Sequence, residues 1–283
     1  MRLRFTKMHG CGNDFVMIDS VTQSISLSSE KIRFLSDRRF GVGCDQVLIV
    51  EPPQSPDVDF RYRIFNQDGS EVENCGNGAR CFAKFVRDRR LTSKKNITVE
   101  TKNGLMTLNV LDDNTISVNM GIPVLNLPDI PFIAQQPDLD PSVAPYQYPL
   151  TVNNNVYNIS TASMGNPHAI VVVDDTASME IADTALEIQH SPEFPEGVNV
   201  GFMQILSPKE INLRVYERGV GETLACGTGA CAAVVCGQLR GLLNQHVTVN
   251  LTGGTLEIDW QGLNTSVFKT GPATTVFHGQ IKI

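Results

Sequence analysis

Nowhere in the 283 residues does an apolar run approach the roughly 20 residues that a membrane-spanning helix needs. The opening residues, Met1-Arg2-Leu3-Arg4-Phe5-Thr6-Lys7, hold no apolar segment of the kind that marks a secretory leader, so none is expected. Basic residues are outnumbered, 23 Lys and Arg against 30 Asp and Glu, which leaves a formal charge of −7 and a pI near 5.3. That excludes the positive footprint of a nucleic-acid binder or of a protein drawn to anionic membranes. There is no Cys-x2-Cys pair, there are only five histidines, and the spacings Cys75–Cys81, Cys226–Cys231 and Cys231–Cys236 do not match a zinc site. The seven cysteines are odd in number and widely spread, which argues against a secreted disulfide framework. Gly76-x-Gly78 lacks the third glycine of the dinucleotide fingerprint, and no alternating parallel strand–helix–strand pattern is expected around it. What survives is a soluble cytoplasmic protein with reduced thiols, expected to bind no metal, nucleic acid or membrane.

With 41% hydrophobic residues the chain can bury one large core or two of ordinary size. Its organising stretch is Glu73-Asn74-Cys75-Gly76-Asn77-Gly78-Ala79-Arg80, a strand end, a glycine turn with a thiol at its tip, and a helix start. It returns as Leu224-Ala225-Cys226-Gly227-Thr228-Gly229-Ala230. Asn166 echoes Asn13, Asn199 echoes Gln46, Glu217 echoes Asn66, Cys226 echoes Cys75, Gly254 echoes Gly104 and Gly271 echoes Gly121. The offsets are 153, 153, 151, 151, 150 and 150, a steady drift that chance similarity between short turns does not produce. The chain is therefore two copies of one α/β unit, with a proline-rich crossover within 122–150. The expected domains are 1–122 with 272–283, and 123–271.

Within the first copy, Phe15–Ile18, Val47–Val50 and Phe60–Phe65 read as strands and Ser29–Arg38 as a helix capped by Ser28 or Ser29. Ala79, Phe82, Ala83, Phe85 and Val86 fall on one face, predicting a helix from Gly76 to about Arg89 with a polar far side. A cysteine at such a helix start faces unpaired N–H groups and the positive end of the helix dipole, which favour thiolate. The flanking glycines allow close approach of backbone to a ligand, and the same N–H groups suit a carboxylate. Two such turns acting on one α-carbon could remove a proton from one face and deliver one to the other, inverting the centre without a cofactor. Cys81, Cys231 and Cys236 lie on helical faces and are read as packing residues, as are Cys11 and Cys44, which have no repeat partner.

At these residues the chain resembles the diaminopimelate epimerase family. Asn66-x-Asp68-Gly69-Ser70 followed by Cys75-Gly76-Asn77-Gly78-x-Arg80 matches its first cysteine signature, and His9-Gly10-x-Gly12-Asn13-Asp14-Phe15, Gly165-Asn166-Pro167-His168, Tyr216-Glu217-Arg218-Gly219 and Ala225-Cys226-Gly227-Thr228-Gly229 extend the match end to end. The resemblance implies two pseudo-symmetric α/β (α+β) domains, each a mostly antiparallel strand shell around a central helix, with the site in the interdomain cleft. It implies interconversion of LL- and meso-2,6-diaminopimelate without pyridoxal phosphate, serving lysine and peptidoglycan precursor synthesis. By position, Cys75 and Cys226 are the acid and base, assisted by His168 and Glu217. Gly76, Asn77, Gly227 and Thr228 offer helix-end groups to the reacting carboxylate, and Asn13, Gln46, Asn66, Asn166, Asn199, Glu217 and Arg218 match substrate-binding positions. Phe277 matches a tail aromatic at the homodimer contact of the family, while Arg80 is read as structural or dimer-related. The alternatives are a proline or hydroxyproline racemase or epimerase on the same fold, which typically has histidine where Asn77 stands, and a non-catalytic protein with a Cys75–Cys226 redox disulfide.

Overall fold

A computed structural model of the chain describes residues 2–72, 76–102, 104–135 and 146–283. They divide into two compact units, Met1–Asn119 with Thr270–Ile283, and Met120–Lys269.

The first unit opens with antiparallel strands β1 (Arg2–Gly10) and β2 (Asn13–Asp19), joined at Cys11 and Gly12, both at positive φ. Helix α1 (Ser29–Ser36) starts at Ser28, whose hydroxyl accepts from the Lys31 N–H, and packs Ile32 and Leu35 against Val16, Ile18, Val47 and Ile49. Strand β3 (Gln46–Glu51) runs parallel to β2 with Phe15 opposite Gln46. Strand β4 (Phe60–Asn66) is antiparallel to β3 with Gln46 opposite Asn66, and β5 (Glu71–Val72) folds back on β4. After helix α2 (Gly76–Asp88) come β6 (Asn96–Thr101), parallel to β4, then the antiparallel β7 (Gly104–Val110) and β8 (Ile116–Asn119).

Helix α2 is the centre of this unit. Its burial extends beyond the apolar stripe to Asn77, Arg80 and Cys81, so the expected polar far side shrinks to Lys84, Arg87 and Asp88. Phe82 packs edge-on against Tyr62 and Phe60 at centroid distances of 4.9 and 6.1 Å. A second expectation also gives way, because α2 lies on the connection between two parallel strands, β4 and β6, as α1 lies between β2 and β3. Periodicity assigns elements but not the direction of their partners, which only tertiary packing decides.

The second unit repeats the plan. Strands β9 (Tyr148–Val152) and β10 (Asn155–Ser163) pair antiparallel, and β11 (Pro167–Val172) pairs antiparallel with β10. Helix α3 (Ile181–Gln189) packs Ile181, Ala185 and Ile188 on the sheet, and β12 (Asn199–Ser207) runs parallel to β11 with His168 opposite Asn199. Next come the antiparallel β13 (Glu210–Glu217) and β14 (Gly221–Thr223), and the central helix α4 (Gly227–Leu239). Small side chains of Ala, Val, Cys and Gly let the shell close round α4 on every side through Gly237. Strands β15 (His246–Leu251), parallel to β13, β16 (Gly254–Trp260) and β17 (Val267–Gly271) follow. The chain then returns to the first unit, where β18 (Thr274–Lys282) lies antiparallel along β1 from Lys282 opposite Arg2 to Thr274 opposite His9. No helix among the described residues is long and apolar enough to cross a membrane.

Candidate active site

In the second unit Cys226, Thr228 and Glu217 come together at the head of α4. Cys226 is the N-cap of that helix, 4% exposed, with its carbonyl accepting from the Ala230 N–H at 3.0 Å. Its Sγ lies 3.5 Å from Thr228 Oγ1, and the Glu217 carboxylate, at the end of β13, is near enough for its charge to act on the thiol. Glu217 in turn accepts from Thr223 Oγ1 at 2.6 Å. The expected lowering of the thiol pKa is not found here. Burial pushes the Cys226 thiol up, the Glu217 charge pushes it further, and hydrogen bonds from Thr228 and the Gly229 N–H only partly offset them. Cys226 therefore rests as a neutral S–H. Gly229 owes its missing side chain to this packing, since a Cβ would sit 3.1 Å from Val215 and 3.3 Å from Cys226 Sγ.

His168 is wholly buried on β11, with Nε2 3.2 Å from Asn166 Oδ1 and Nδ1 without a partner among the described residues. Burial first, and the Arg218 charge second, hold the imidazole down to about 3, so it is neutral near pH 7. Asn199, 4% exposed, donates from Nδ2 to the Pro167 carbonyl at 3.1 Å and accepts the Arg218 N–H at 2.8 Å. It thereby ties the start of β11 to the turn after β13. Arg218 reaches the Glu196 carbonyl at 2.5 Å and borders a cavity of about 450 Å³ shared with Gln189, His190, Ser191 and Gly219.

In the first unit, Cys75 lies outside the described residues, as do Glu73 and Asn74. Gly76 and Asn77 begin α2, and both are buried. Asn77 Nδ2 stands 3.5 Å from Asn13 Oδ1, Asn13 Nδ2 donates to Asp45 Oδ2 at 2.8 Å, and Gln46 Nε2 donates to Asn66 Oδ1 at 2.9 Å. The four predicted amides thus fall into two pairs, Gln46 with Asn66 at neighbouring strand ends and Asn13, at the start of β2, with Asn77 in the first turn of α2. The glycine expected to admit a ligand at Gly78 serves packing, because a Cβ there would come within 2.6 Å of Tyr62 Oη. Phe277 is apart from these groups on β18, 46% exposed, with its ring edge-on to Phe5 at 5.9 Å.

Two residues that matter were passed over in the sequence, Asp14 and Asp45. Asp14 accepts from Lys7 Nζ at 2.5 Å and from both terminal nitrogens of Arg38 at 3.0 and 2.8 Å. Burial pushes its carboxyl up, but the Arg38 and Lys7 hydrogen bonds outweigh that and hold it well below the usual range. Each acid adjoins a predicted amide, Asn13 or Gln46. In the second copy Pro167 and Val198 replace them, a loss of symmetry visible in the sequence.

A sequence model of the diaminopimelate epimerase family matches residues 5–126 and 160–276. The chain belongs to the diaminopimelate epimerase family. A diaminopimelate epimerase of Teredinibacter turnerae (strain ATCC 39867 / T7901) is 59% identical over 285 residues, covering 100% of both chains. Among solved structures, a hydroxyproline epimerase from Agrobacterium vitis aligns with TM-score 0.69 at 14% identity, over 99% of this chain and 92% of its own. A phenazine biosynthesis protein of the PhzF family from Bacillus anthracis aligns with TM-score 0.67 at 17% identity over 100% of both. These two likenesses speak to the fold alone, two pseudo-symmetric units of strands around a helix, which diaminopimelate epimerases share with them.

Proposed function

We propose that the chain is an isomerase that interconverts LL- and meso-2,6-diaminopimelate by proton transfer between two cysteines. The observation that carries this is the pairing of Cys226, at the head of α4, with the Glu217 carboxylate, in a repeat whose other copy sets Cys75 before α2. One thiolate takes the α-proton, the C–H electron pair is left on carbon and its carboxylate, and the other thiol delivers a proton to the opposite face. The neutral Cys226 suits the donor role. In the reverse direction its proton has to leave first, and Glu217 is the adjacent acceptor. Helix-end N–H groups at Gly76, Asn77, Gly227 and Thr228 would carry the charge that develops on the carboxylate. Asn13, Gln46, Asn66, Asn166, Asn199 and Arg218 supply the polar contacts for a substrate with two amino-acid heads, and the neutral His168 orients Asn166. No pyridoxal phosphate or metal is needed for these steps. The same proposal includes a cytoplasmic homodimer whose contact uses the half-exposed Phe277 of β18.

Incubation in deuterium oxide across a panel of amino acids tests the chemistry. Reduced protein should exchange the α-hydrogen of diaminopimelate, and Cys75→Ala and Cys226→Ala should each abolish epimerisation. Turnover of proline with no exchange into diaminopimelate would sink the assignment in favour of a proline-type racemase. Sedimentation of Phe277→Ser should show monomers where the unsubstituted chain shows dimers; equal sedimentation would remove Phe277 from the contact.

A further inference from the structure

The described part of the first unit contains a run of side chains in which every hydrogen bond points the same way. Arg80, wholly buried in α2, donates from Nη1 to Asn77 Oδ1 at 3.1 Å. That leaves Asn77 Nδ2 facing Asn13 Oδ1 at 3.5 Å, and Asn13 Nδ2 donating to Asp45 Oδ2 at 2.8 Å. Asp45 is itself held, since Oδ1 accepts from Arg38 Nη2 at 2.8 Å and Oδ2 also accepts the Asp14 N–H at 3.1 Å. Arg80 is fixed from the other side by the Pro272 carbonyl at 3.1 Å and by Cys11 Sγ at 3.7 Å. A guanidinium can only donate and a carboxylate can only accept, so the two ends dictate the sense of both amides between them. An amide without such neighbours can turn over and exchange its donor for its acceptor.

The second copy keeps the counterpart of Asn13, Asn166, but lacks the other three members. Cys231 stands for Arg80, Thr228 for Asn77 and Val198 for Asp45. Repetition of the fold therefore does not explain these residues in the first copy.

We propose that Asp45 and Arg80 are positioning residues that fix the amides of Asn13 and Asn77 in one donor–acceptor sense, so that the first unit reads an amino-acid head in one orientation only. This rests on Asn13 and Asn77 being substrate contacts. Asn13 turns its carbonyl away from Asp45, which makes it an acceptor suited to an ammonium group. Asp45 acts only through Asn13.

Asp45 is the end to vary, because its side chain is 41% exposed whereas Arg80 is enclosed. Asp45→Asn keeps the shape and removes the obligate acceptor. KM for the α-amino acid that the unsubstituted chain exchanges should rise about tenfold or more, the scale of a misdirected hydrogen bond to a charged group, with kcat changed less than about threefold. On an Asn13→Ala background the same substitution should add nothing, because coupled residues are not additive. In protein carrying 15N-asparagine, the Asn13 side-chain signals, assigned by their loss in Asn13→Ala, should shift and broaden in Asp45→Asn. An unchanged KM, a full additive effect on the Asn13→Ala background, or unmoved Asn13 signals would overturn the proposal. Exchange of proline in place of diaminopimelate would overturn the assigned substrate instead, and the cycle would then be read on proline.

Discussion

A thiol at a helix N-terminus gains about 0.3–1 kcal/mol from the dipole when ionised. Removing a charged group from water can move a pKa by roughly 3–5 units, several times more. Cys226 has both influences and burial wins, with Glu217 adding its own charge to the same side. Replacing Glu217 with Gln removes that charge, so the Cys226 titration, followed by thiolate absorbance against a Cys226→Ser reference, should move to lower pH. An unmoved titration would mean that burial acts alone. His168 supplies a second measurable effect. Its pKa is held near 3 in the fold against 6.5 for a free imidazole, so between those values the unfolded chain binds the extra proton. Its contribution to stability is complete above about pH 6.5 and is lost as pH falls through that window. Between pH 6.5 and 5.5 the unsubstituted chain should lose about 1 kcal/mol more than His168→Gln in urea unfolding. Equal slopes would show an imidazole that titrates normally. Cys226, Asn166 and Asn199 were legible in the sequence because their positions recur at matched offsets, whereas His168 and Glu217 were legible only through the family resemblance. Their burial was not, since exposure depends on strands that arrive from elsewhere. Asp45 escaped notice for a related reason: it breaks the repeat, and repetition was the signal being followed.

At the scale of elements, α2 shows how little room the centre of a unit allows. A methyl group at Gly78 would meet Tyr62 Oη at 2.6 Å and Leu48 Cδ2 at 3.1 Å. Gly78→Ala should destabilise the chain by about 1–3 kcal/mol through overpacking. On a Tyr62→Phe background the cost should shrink, because the colliding hydroxyl is gone; equal costs in both backgrounds, read from urea midpoints, would place the strain elsewhere. Helices α1 and α2 and strands β2, β3 and β4 could be read from period and capping alone. Strands β1 and β18 could not. β18 is an edge strand, mostly exposed, so it carries almost no apolar alternation, and it pairs with β1 from the far end of the chain. The parallel β4–β6 pair escaped for the same reason, as its partner lies across a helix and a second strand.

For the whole molecule, the drifting offsets were enough to expose the duplication, and the shared order of pairings follows it strand by strand. The only tryptophan, Trp260, is 1% exposed in the second unit and donates from Nε1 to the Thr265 carbonyl at 3.1 Å. Its fluorescence therefore reports on that unit. A chain ended at Lys269 loses β18, which leaves β1 an open edge and Phe5 without Phe277 and Gly279. It should become protease-sensitive in residues 2–119 while Trp260 emission stays that of a buried ring; protection across both units would show β18 to be dispensable. In the first unit the strand beside β1 arrives after β17, and in the second the strand beside β10 arrives after β8. The first unit is thus completed by a strand from the far end of the chain, the second by one that lies next to β10 in sequence. Thr6 Oγ1 meets His278 Nδ1 across 272 positions, so the first unit cannot close until β18 has left the ribosome. A chain released at Lys269 would carry a finished second unit and an unfinished first, the reverse of the order in which they were made.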